Sequence, residues 1–287
     1  MAKVIEKYEC ANLGWLYYKH YYQSANGNDN VANRNETILK RQIEAEKHSA
    51  LKISDCQIEL KVAYPGLLTG SGYIHESVSD KEESFKIGFF FDHVTGMPCI
   101  PGHSVKGVLR SAFPNHENEK YPIQKTNLIV QYITEKGGNP KPLFEEYMKK
   151  CGISEADFSE KRFVEILGNI IFEGQEPYAF DKSKDEFLYQ QISIYRRDIF
   201  HDAYISAGGK NNYFLGSDFI TPHVDPMKNP NPIKFLKVLP EVNFRFQFDL
   251  KPILIDVDLK KQLFESILKD FGVGAKTNVG YGQFSHH

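Results

Sequence analysis

One segment of the sequence pairs a Pro-Gly turn with cations at helical spacing: PCIPGHSVKGVLR at 98–110. The turn predicts a helix over about 104–113, whose first N–H groups lack backbone partners and attract anions such as phosphate. Lys106 and Arg110 are four residues apart and therefore share one face of this helix. The alternative is a capped surface helix with two solvated charges. The candidate phosphate-binding residues are His103, Ser104, Lys106 and Arg110.

A second segment, GVGAKTNVGYG at 272–282 and here called the glycine loop, contains four glycines around a lysine. Glycines let the backbone approach a ligand closely and turn successive N–H groups into an anion-binding concavity. The loop is not a nucleotide-binding P-loop, because that pattern requires Gly before the Lys and Ala275 stands there. The alternative is a turn that joins a helix to an edge strand. The candidate anion-binding residues are Gly272, Gly274, Lys276, Thr277 and Asn278.

Histidine is the commonest general acid or base in enzymes, so each histidine is a candidate for acid–base catalysis. His103 is the best placed, at the predicted helix entrance, but contact with a phosphate is the more natural role there. A metal site is poorly supported, because His93, Cys99 and His103, like the His and Asp within 221–225, lack the paired spacing of structural zinc. The sequence therefore predicts no catalytic residue, no metal and no other cofactor. The remaining histidines considered are His20, His75 and His223.

The overall charge excludes a protein that coats nucleic acid by electrostatics alone. The 287 residues include 35 basic and 37 acidic side chains, a net charge of −2, so nucleic-acid binding would depend on a local patch. The scattered cysteines form neither a zinc motif nor a disulfide framework, which is typical of a reducing cytoplasm. No apolar run approaches the roughly 20 residues of a membrane span. The cysteines are Cys10, Cys56, Cys99 and Cys151.

The periodicity of apolar residues predicts an α+β fold. Stripped of insertions, the order of elements is strand, helix, strands, helix, strand, which is the β-α-β-β-α-β pattern of a ferredoxin-like, RRM-type unit. We expect a helical extension over 1–54, with helices at 11–22 and 36–53, packed on a single domain over 55–287 that carries a helical insertion at about 120–170. The predicted strands are 56–64, 187–195, 199–206, 233–239, 242–250 and 279–284, with a hairpin of 73–78 against 85–91. The last predicted helix is 259–271, capped by Asp258 and ended by Gly272.

Three segments, 67–72 (LLTGSG), 93–110 and 272–284, resemble the RAMP superfamily of CRISPR proteins. Within it, three further segments resemble the sixth Cmr subunit of type III-B effector complexes: 12–22, 196–204 and 214–238. The resemblance implies a RAMP fold built on the ferredoxin-like unit, in a non-catalytic structural subunit near the 3′ end of a guide RNA. It implies guide RNA, target RNA and other Cmr subunits as partners, with no membrane and no small-molecule substrate. It also implies backbone contacts from the two anion-binding segments and a β-hairpin thumb, for which 73–91 is the candidate.

Because RAMP relatives include ribonucleases, endonuclease activity on guide or target RNA is the alternative function. The resemblance implies that backbone subunits of these complexes cleave target RNA with an Asp slightly upstream of the position matching Asp92. Here 85–90 (FKIGFF) holds no carboxylate, and the nearby acids fall in the predicted hairpin turn. Asp92 itself is expected to bond to nearby backbone, as Asp commonly does in loops. The acids of the turn are Asp80, Glu82 and Glu83.

The aromatic face of 13–22 and the proline-rich segment 221–232 are more apolar than a solvated surface needs. We expect part of this surface to pack against a neighbouring subunit. The rival explanation is that the rings fill the core of this chain. Tyr17 and Tyr21 distinguish the two, because core residues would be buried.

Overall fold

The computed structural model describes residues 12–23, 30–43, 52–72, 84–114, 120–221 and 232–285. The helices are α1 (α-helical over Leu13–Trp15, then π-helical over Leu16–His20), α2 (Val31–Leu39), α3 (Gly102–Ser111), α4 (Pro122–Glu135), α5 (Pro140–Cys151), α6 (Glu160–Gly168, then π-helical over Asn169–Glu173) and α7 (Val257–Phe271). The strands are β1 (Cys56–Lys61), β2 (Cys99–Ile100), β3 (Gln175–Asp181), β4 (Glu186–Gln191), β5 (Ile199–Phe200), β6 (Ala203–Ala207), β7 (Leu215–Ile220), β8 (Ile233–Val238) and β9 (Asn243–Asp249). Helices and antiparallel strands together confirm the α+β class.

The main sheet has the strand order β1-β9-β6-β2, and β5 also pairs with β9. All its pairings are antiparallel. The alternating Phe244, Phe246 and Phe248 of β9 are all buried, because residues two apart on a strand point to the same face. Two two-stranded sheets, β3-β4 and β7-β8, complete the described strands. The strands predicted over 56–64, 187–195, 199–206, 233–239 and 242–250 are confirmed by β1, β4, β5 with β6, β8 and β9.

Helices α3 and α7 pack on each other and against the main sheet. Phe264 of α7 lies with its ring centroid 5.3 Å from that of Phe248 and 5.8 Å from that of Phe200. Val105 and Leu109 of α3 are fully buried in the same core. Helices α4, α5 and α6 confirm the helical pattern predicted over 120–170. In the part of the chain that the structure describes, no helix has the length and apolarity to cross a membrane.

Helix α1 is packed against the extended segment 84–91. The hydroxyl groups of Tyr17 and Tyr18 donate hydrogen bonds to the carbonyl oxygens of Ile87 and Phe89, at 3.2 and 3.1 Å. Tyr17 and Tyr21 are buried. The expectation that these two rings meet a neighbouring subunit is therefore wrong, and the rival core explanation holds for them. The proline-rich segment is outside the described residues over 222–231.

Several element boundaries differ from the predictions. Helix α2 begins at Val31 rather than near 36, because the Asn30 side chain caps it by accepting from the N–H of Asn33 at 2.9 Å. It ends at Leu39, while the rest of that predicted helix is non-helical over 40–43 and lies outside the described residues over 44–51. Helix α7 is capped by Asp256, not Asp258, through a 2.7 Å bond from the N–H of Leu259.

Two predicted strands are wrong where the structure describes them. Residues 279–284 form turns after a 3-10 helix at Thr277–Val279, with one isolated bridge between Val62 and Phe284. The segment 85–91 forms only isolated bridges at Ile87 and Phe91. Its apolar residues turn into the core beside α1 instead. The other half of the predicted thumb hairpin lies outside the described residues, and the division at residue 54 stays a prediction.

Candidate nucleic-acid interface

Residues 66–69 join the two anion-binding segments in space. The carbonyl oxygen of Leu68 accepts from the N–H of Ala275 in the glycine loop at 3.0 Å. The hydroxyl of the next residue, Thr69, donates to the carbonyl oxygen of Cys99, just before helix α3, at 3.0 Å. The carbonyl oxygen of Gly66 accepts from Gly282 at 2.8 Å. The three segments 67–72, 93–110 and 272–284 are therefore neighbours, although about 200 residues of chain separate the first from the last.

Two glycines of the loop are required by close backbone packing. Gly274 has a φ of +87°, and a Cβ there would lie 2.1 Å from the carbonyl oxygen of Leu68. Gly282 has a φ of +72°, and a Cβ there would lie 1.8 Å from the carbonyl oxygen of Val273. Any larger residue would displace backbone at either position. The two glycines therefore allow the loop to pack closely against 66–68 and against its own backbone.

The tip of the glycine loop presents unused hydrogen-bond donors. Lys276 has a left-handed backbone, with φ at +62°, and its carbonyl oxygen accepts from Val279 and Tyr281. Its own N–H and those of Thr277 and Asn278 have no hydrogen-bond partner within the described residues. Successive N–H groups in a turn of this kind form an anion-binding concavity. The Lys276 ammonium adds a cation, and no carboxylate of the described chain pairs with it.

The start of helix α3 differs from the prediction. The N–H of Gly102 donates to the Oδ1 of Asp202 at 2.6 Å, so a carboxylate of the chain itself satisfies one of the donors expected to hold phosphate. A Cβ on Gly102 would lie 2.2 Å from the carbonyl oxygen of Phe200, which explains the glycine. His103 is exposed and Ser104 is half-buried. The expectation of a vacant helix terminus is wrong at Gly102.

Lys106 and Arg110 lie on one face of α3, as predicted, but they are engaged differently. The ammonium of Lys106 lies 5.9 Å from the ring centroid of Phe200, and no carboxylate pairs with it in the described chain. The guanidinium of Arg110 forms a 2.9 Å ion pair with Glu173 and lies over the ring of Phe172. Arg110 therefore ties α3 to the π-helical end of α6. Of the two, Lys106 is the cation available to an anion.

A polar cluster that the sequence reasoning missed contacts the glycine loop at Tyr281. Asp218 of β7 accepts from the hydroxyl of Tyr281 at 2.8 Å and from the ammonium of Lys237 at 2.6 Å. Burial opposes ionisation of Asp218, but these hydrogen bonds outweigh it and hold its pKa below the usual value. Burial, followed by the bond to Asp218, raises the pKa of Tyr281. No spacing in the sequence connects these three residues, because the pairing of β7 with β8 and the docking of the glycine loop bring them together.

The residues considered for catalysis or metal binding were Asp92 and the histidines. In the described part of the chain, no group of three His, Cys, Asp or Glu residues could hold a metal ion. Asp92 accepts from the N–H of Thr95 at 2.6 Å, which confirms its expected role in a local turn. His201 lies with its Nε2 3.1 Å from a carboxylate oxygen of Asp249, a pair that sequence reasoning also missed.

Comparison with known proteins decides the family. A family model for the RAMP superfamily matches residues 59–285, a range that contains all three converging segments. The chain belongs to the RAMP superfamily. The resemblance stated from the sequence is thereby confirmed at the level of the superfamily.

Three relatives of this RAMP chain carry Cmr names. It is 28% identical over 214 residues to the CRISPR system Cmr subunit Cmr6 of Pyrococcus furiosus, across 66% of this chain and 58% of that protein. A chain in the cryo-EM structure of a type III-B Cmr-beta complex bound to cognate target RNA has a TM-score of 0.48 at 19% identity, covering 99% of this chain and 85% of that one. The crystal structure of Cmr6 from Pyrococcus furiosus has a TM-score of 0.34 at 18% identity, and the match covers 80% of this chain and 97% of that one.

Proposed function

We propose that this RAMP chain is a non-catalytic RNA-binding subunit of a type III-B CRISPR effector complex. It holds the guide RNA near its 3′ end, and the guide–target duplex, through the sugar-phosphate backbone. The observation that carries the proposal is the convergence of the three RAMP segments at 66–69, which places the glycine loop beside the entrance to α3. The 28% identity to a Cmr6 subunit favours the sixth position in the complex.

The chemistry of the site fits phosphate better than base edges. Lys276, the adjacent N–H groups at the loop tip and Lys106 supply donors and positive charge without a fixed recognition pattern. Contacts of this kind position a protein on nucleic acid but carry no sequence information. This suits a subunit that must accept guides of any sequence. A net charge of −2 also leaves most of the surface available for protein neighbours, which we propose are other Cmr subunits.

The strand pairings support the ferredoxin-like unit proposed for the core. β1 and β6 each pair antiparallel with β9, so they run parallel to each other with β9 between them. Helix α3 lies between β1 and β6 in the chain, and α7 follows β9. That order matches the split β-α-β arrangement. The bridge between Val62 and Phe284 occupies the place of the fourth strand beside β1.

Replacing Lys276 or Lys106 with Ala is expected to weaken RNA binding about equally for unrelated guide sequences. Each variant should also reduce the slope of log affinity against log salt concentration by roughly 0.7–0.9, because one phosphate contact and its counterion release are lost. The measurement is fluorescence anisotropy of labelled guide RNAs over a salt series.

The matched control for both lysine variants is Lys141→Ala on α5. Its ammonium forms a loose surface pair with Glu145 at 3.9 Å, and its removal should change neither affinity nor slope. An unchanged slope for Lys276→Ala would show that the loop tip does not bind phosphate. Arg110→Ala should affect the slope less than Lys106→Ala, because Glu173 already neutralises that guanidinium.

We expect no ribonuclease activity from the purified protein. Labelled guide and target RNA should stay intact with and without magnesium, because 85–90 holds no carboxylate and Asp92 is bonded to Thr95. The measurement is denaturing gel electrophoresis of the RNA over time. Specific cleavage that His103→Ala or Asp92→Ala abolishes would favour the endoribonuclease alternative.

A further inference from the structure

Tyr64 is an exposed aromatic residue beside the glycine loop, and its ring is not part of the hydrophobic core. Tyr64 is 85% exposed, and its hydroxyl has no hydrogen-bond partner among the residues that the structure describes. Burial of a ring normally stabilises a fold, so a tyrosine left in water at this point calls for another explanation. The sequence reasoning did not single it out, because it sits between a strand and a turn.

The backbone around Tyr64 is held rigidly against the loop. The N–H of Ala63 donates to the carbonyl oxygen of Gln283 at 2.8 Å, and the N–H of Gly66 donates to the carbonyl oxygen of Ala63 at 3.0 Å. Gly66 in turn accepts from Gly282 at 2.8 Å. Both sides of Tyr64 are therefore fixed, and its ring loses little backbone freedom when it binds a ligand.

Tyr64 and its neighbours form an apolar platform next to the proposed phosphate site. The Cδ of Pro65 lies 3.7 Å from the position that a Cβ on Gly280 would take. Val279, the residue before Gly280, is 61% exposed. The carbonyl oxygen of Gly66, two residues after Tyr64, accepts from the N–H of Gly282, the residue after Tyr281. The N–H of Tyr281 lies 3.2 Å from the carbonyl oxygen of Lys276, so the platform adjoins the loop tip.

We propose that Tyr64 stacks on an unpaired base of the RNA whose backbone the glycine loop holds. The inference rests on the proposed function and adds the class of ligand, a single-stranded nucleotide. An aromatic face beside a phosphate-binding cation is the arrangement that binds single strands without reading sequence, because every base has a π-face. Inside a duplex, the neighbouring base pairs cover both faces of each base, so the platform favours a base of a single strand.

The test compares two RNAs that share one backbone: a labelled 12-nucleotide oligo(A) and a ribose-phosphate chain of the same length without bases. The full-length protein should bind oligo(A) roughly five- to 150-fold more tightly, as expected for stacking of one base. Tyr64→Ala should remove this difference while leaving the affinity for the abasic chain unchanged. Tyr64→Phe should keep the difference, and Tyr64→Leu should lose most of it.

Tyr195→Ala is the matched control, because this tyrosine is 84% exposed on the 3-10 helix at Ile194–Arg196 and should have no effect. Equal effects of Tyr64→Ala on both RNAs, or no effect on either, would overturn the stacking role. If the wild type binds both RNAs with the same affinity and Lys276→Ala lowers the salt slope for both, the proposed function stands without the stacking. If neither RNA binds at low salt, the proposed function fails and the stacking role falls with it.

Discussion

Removing either partner of the ion pair between Lys260 and Asp198 is expected to lower the free energy of unfolding by about 3–5 kcal/mol. The ammonium of Lys260 lies 2.7 Å from a carboxylate oxygen, and the side chains are 0% and 1% exposed. Lys260→Met leaves the Asp198 carboxylate buried without its cation, and Asp198→Asn leaves the Lys260 ammonium buried without its anion. The Asp198 carboxylate also accepts a hydrogen bond from the N–H of Lys251, and the Lys260 ammonium donates one to the Lys251 carbonyl oxygen. Urea denaturation of each variant measures the loss.

Two comparisons make this result specific. Lys269→Met, on the same helix α7, breaks only a partly exposed pair with Glu265 and should cost no more than about 0.5 kcal/mol. The double variant Asp198→Asn with Lys260→Met removes both charges and keeps an acceptor for the N–H of Lys251. Its loss should be well below the sum of the two single losses, because neither charge is left unpaired. Additive losses would contradict a coupled buried pair.

Gly282→Ala is expected to lower the free energy of unfolding by at least about 3 kcal/mol and to abolish RNA binding by the glycine loop. The left-handed backbone alone disfavours Ala, and its Cβ would lie 1.8 Å from the carbonyl oxygen of Val273. The hydrogen bond from the N–H of Val273 to the carbonyl oxygen of Gly282, at 2.9 Å, cannot survive that displacement. Urea denaturation and the same RNA-binding measurement report the two effects.

Gly280→Ala separates backbone strain from steric overlap. Gly280 also has a left-handed backbone, with φ at +95°, but the nearest atom to an added Cβ is the Cδ of Pro65 at 3.7 Å. Only the conformational cost of about 1–2 kcal/mol is expected there. If both alanine variants lose the same free energy of unfolding, steric overlap with the Val273 carbonyl oxygen does not contribute to the cost at Gly282.

Local pattern was enough to predict most strands of the main sheet and the end of helix α7. The alternation of Phe244, Phe246 and Phe248 predicted a strand over 242–250, and all three rings are buried in β9. Gly272 was predicted to end α7, and it does so with a φ of +67°. These features depend on residues a few positions apart, which is the range over which sequence periodicity is informative.

Contacts between distant residues were beyond such reasoning. Asp202 neutralises the start of α3 from a position 100 residues along the chain, and no local signal marks it. Arg110 looked like a phosphate contact because its partner, Glu173, lies on another helix. Tyr17 resembled an interface residue because the segment that buries it, 84–91, is distant in sequence. Pairing across a fold has to be seen in three dimensions.

The hydrogen bond between Ala275 and Leu68 has a consequence for how the chain acquires its function during synthesis. It joins residues about 200 positions apart, and the cost in chain entropy of closing so long a loop is paid when the later segment docks. Translation proceeds from the N-terminus, so β1, α3 and most of the sheet are made well before residues 272–282. A nascent chain interrupted before this point has the α3 entrance but no glycine loop. The proposed RNA interface is therefore completed only after residues 272–282 have been synthesised and have docked on 66–68.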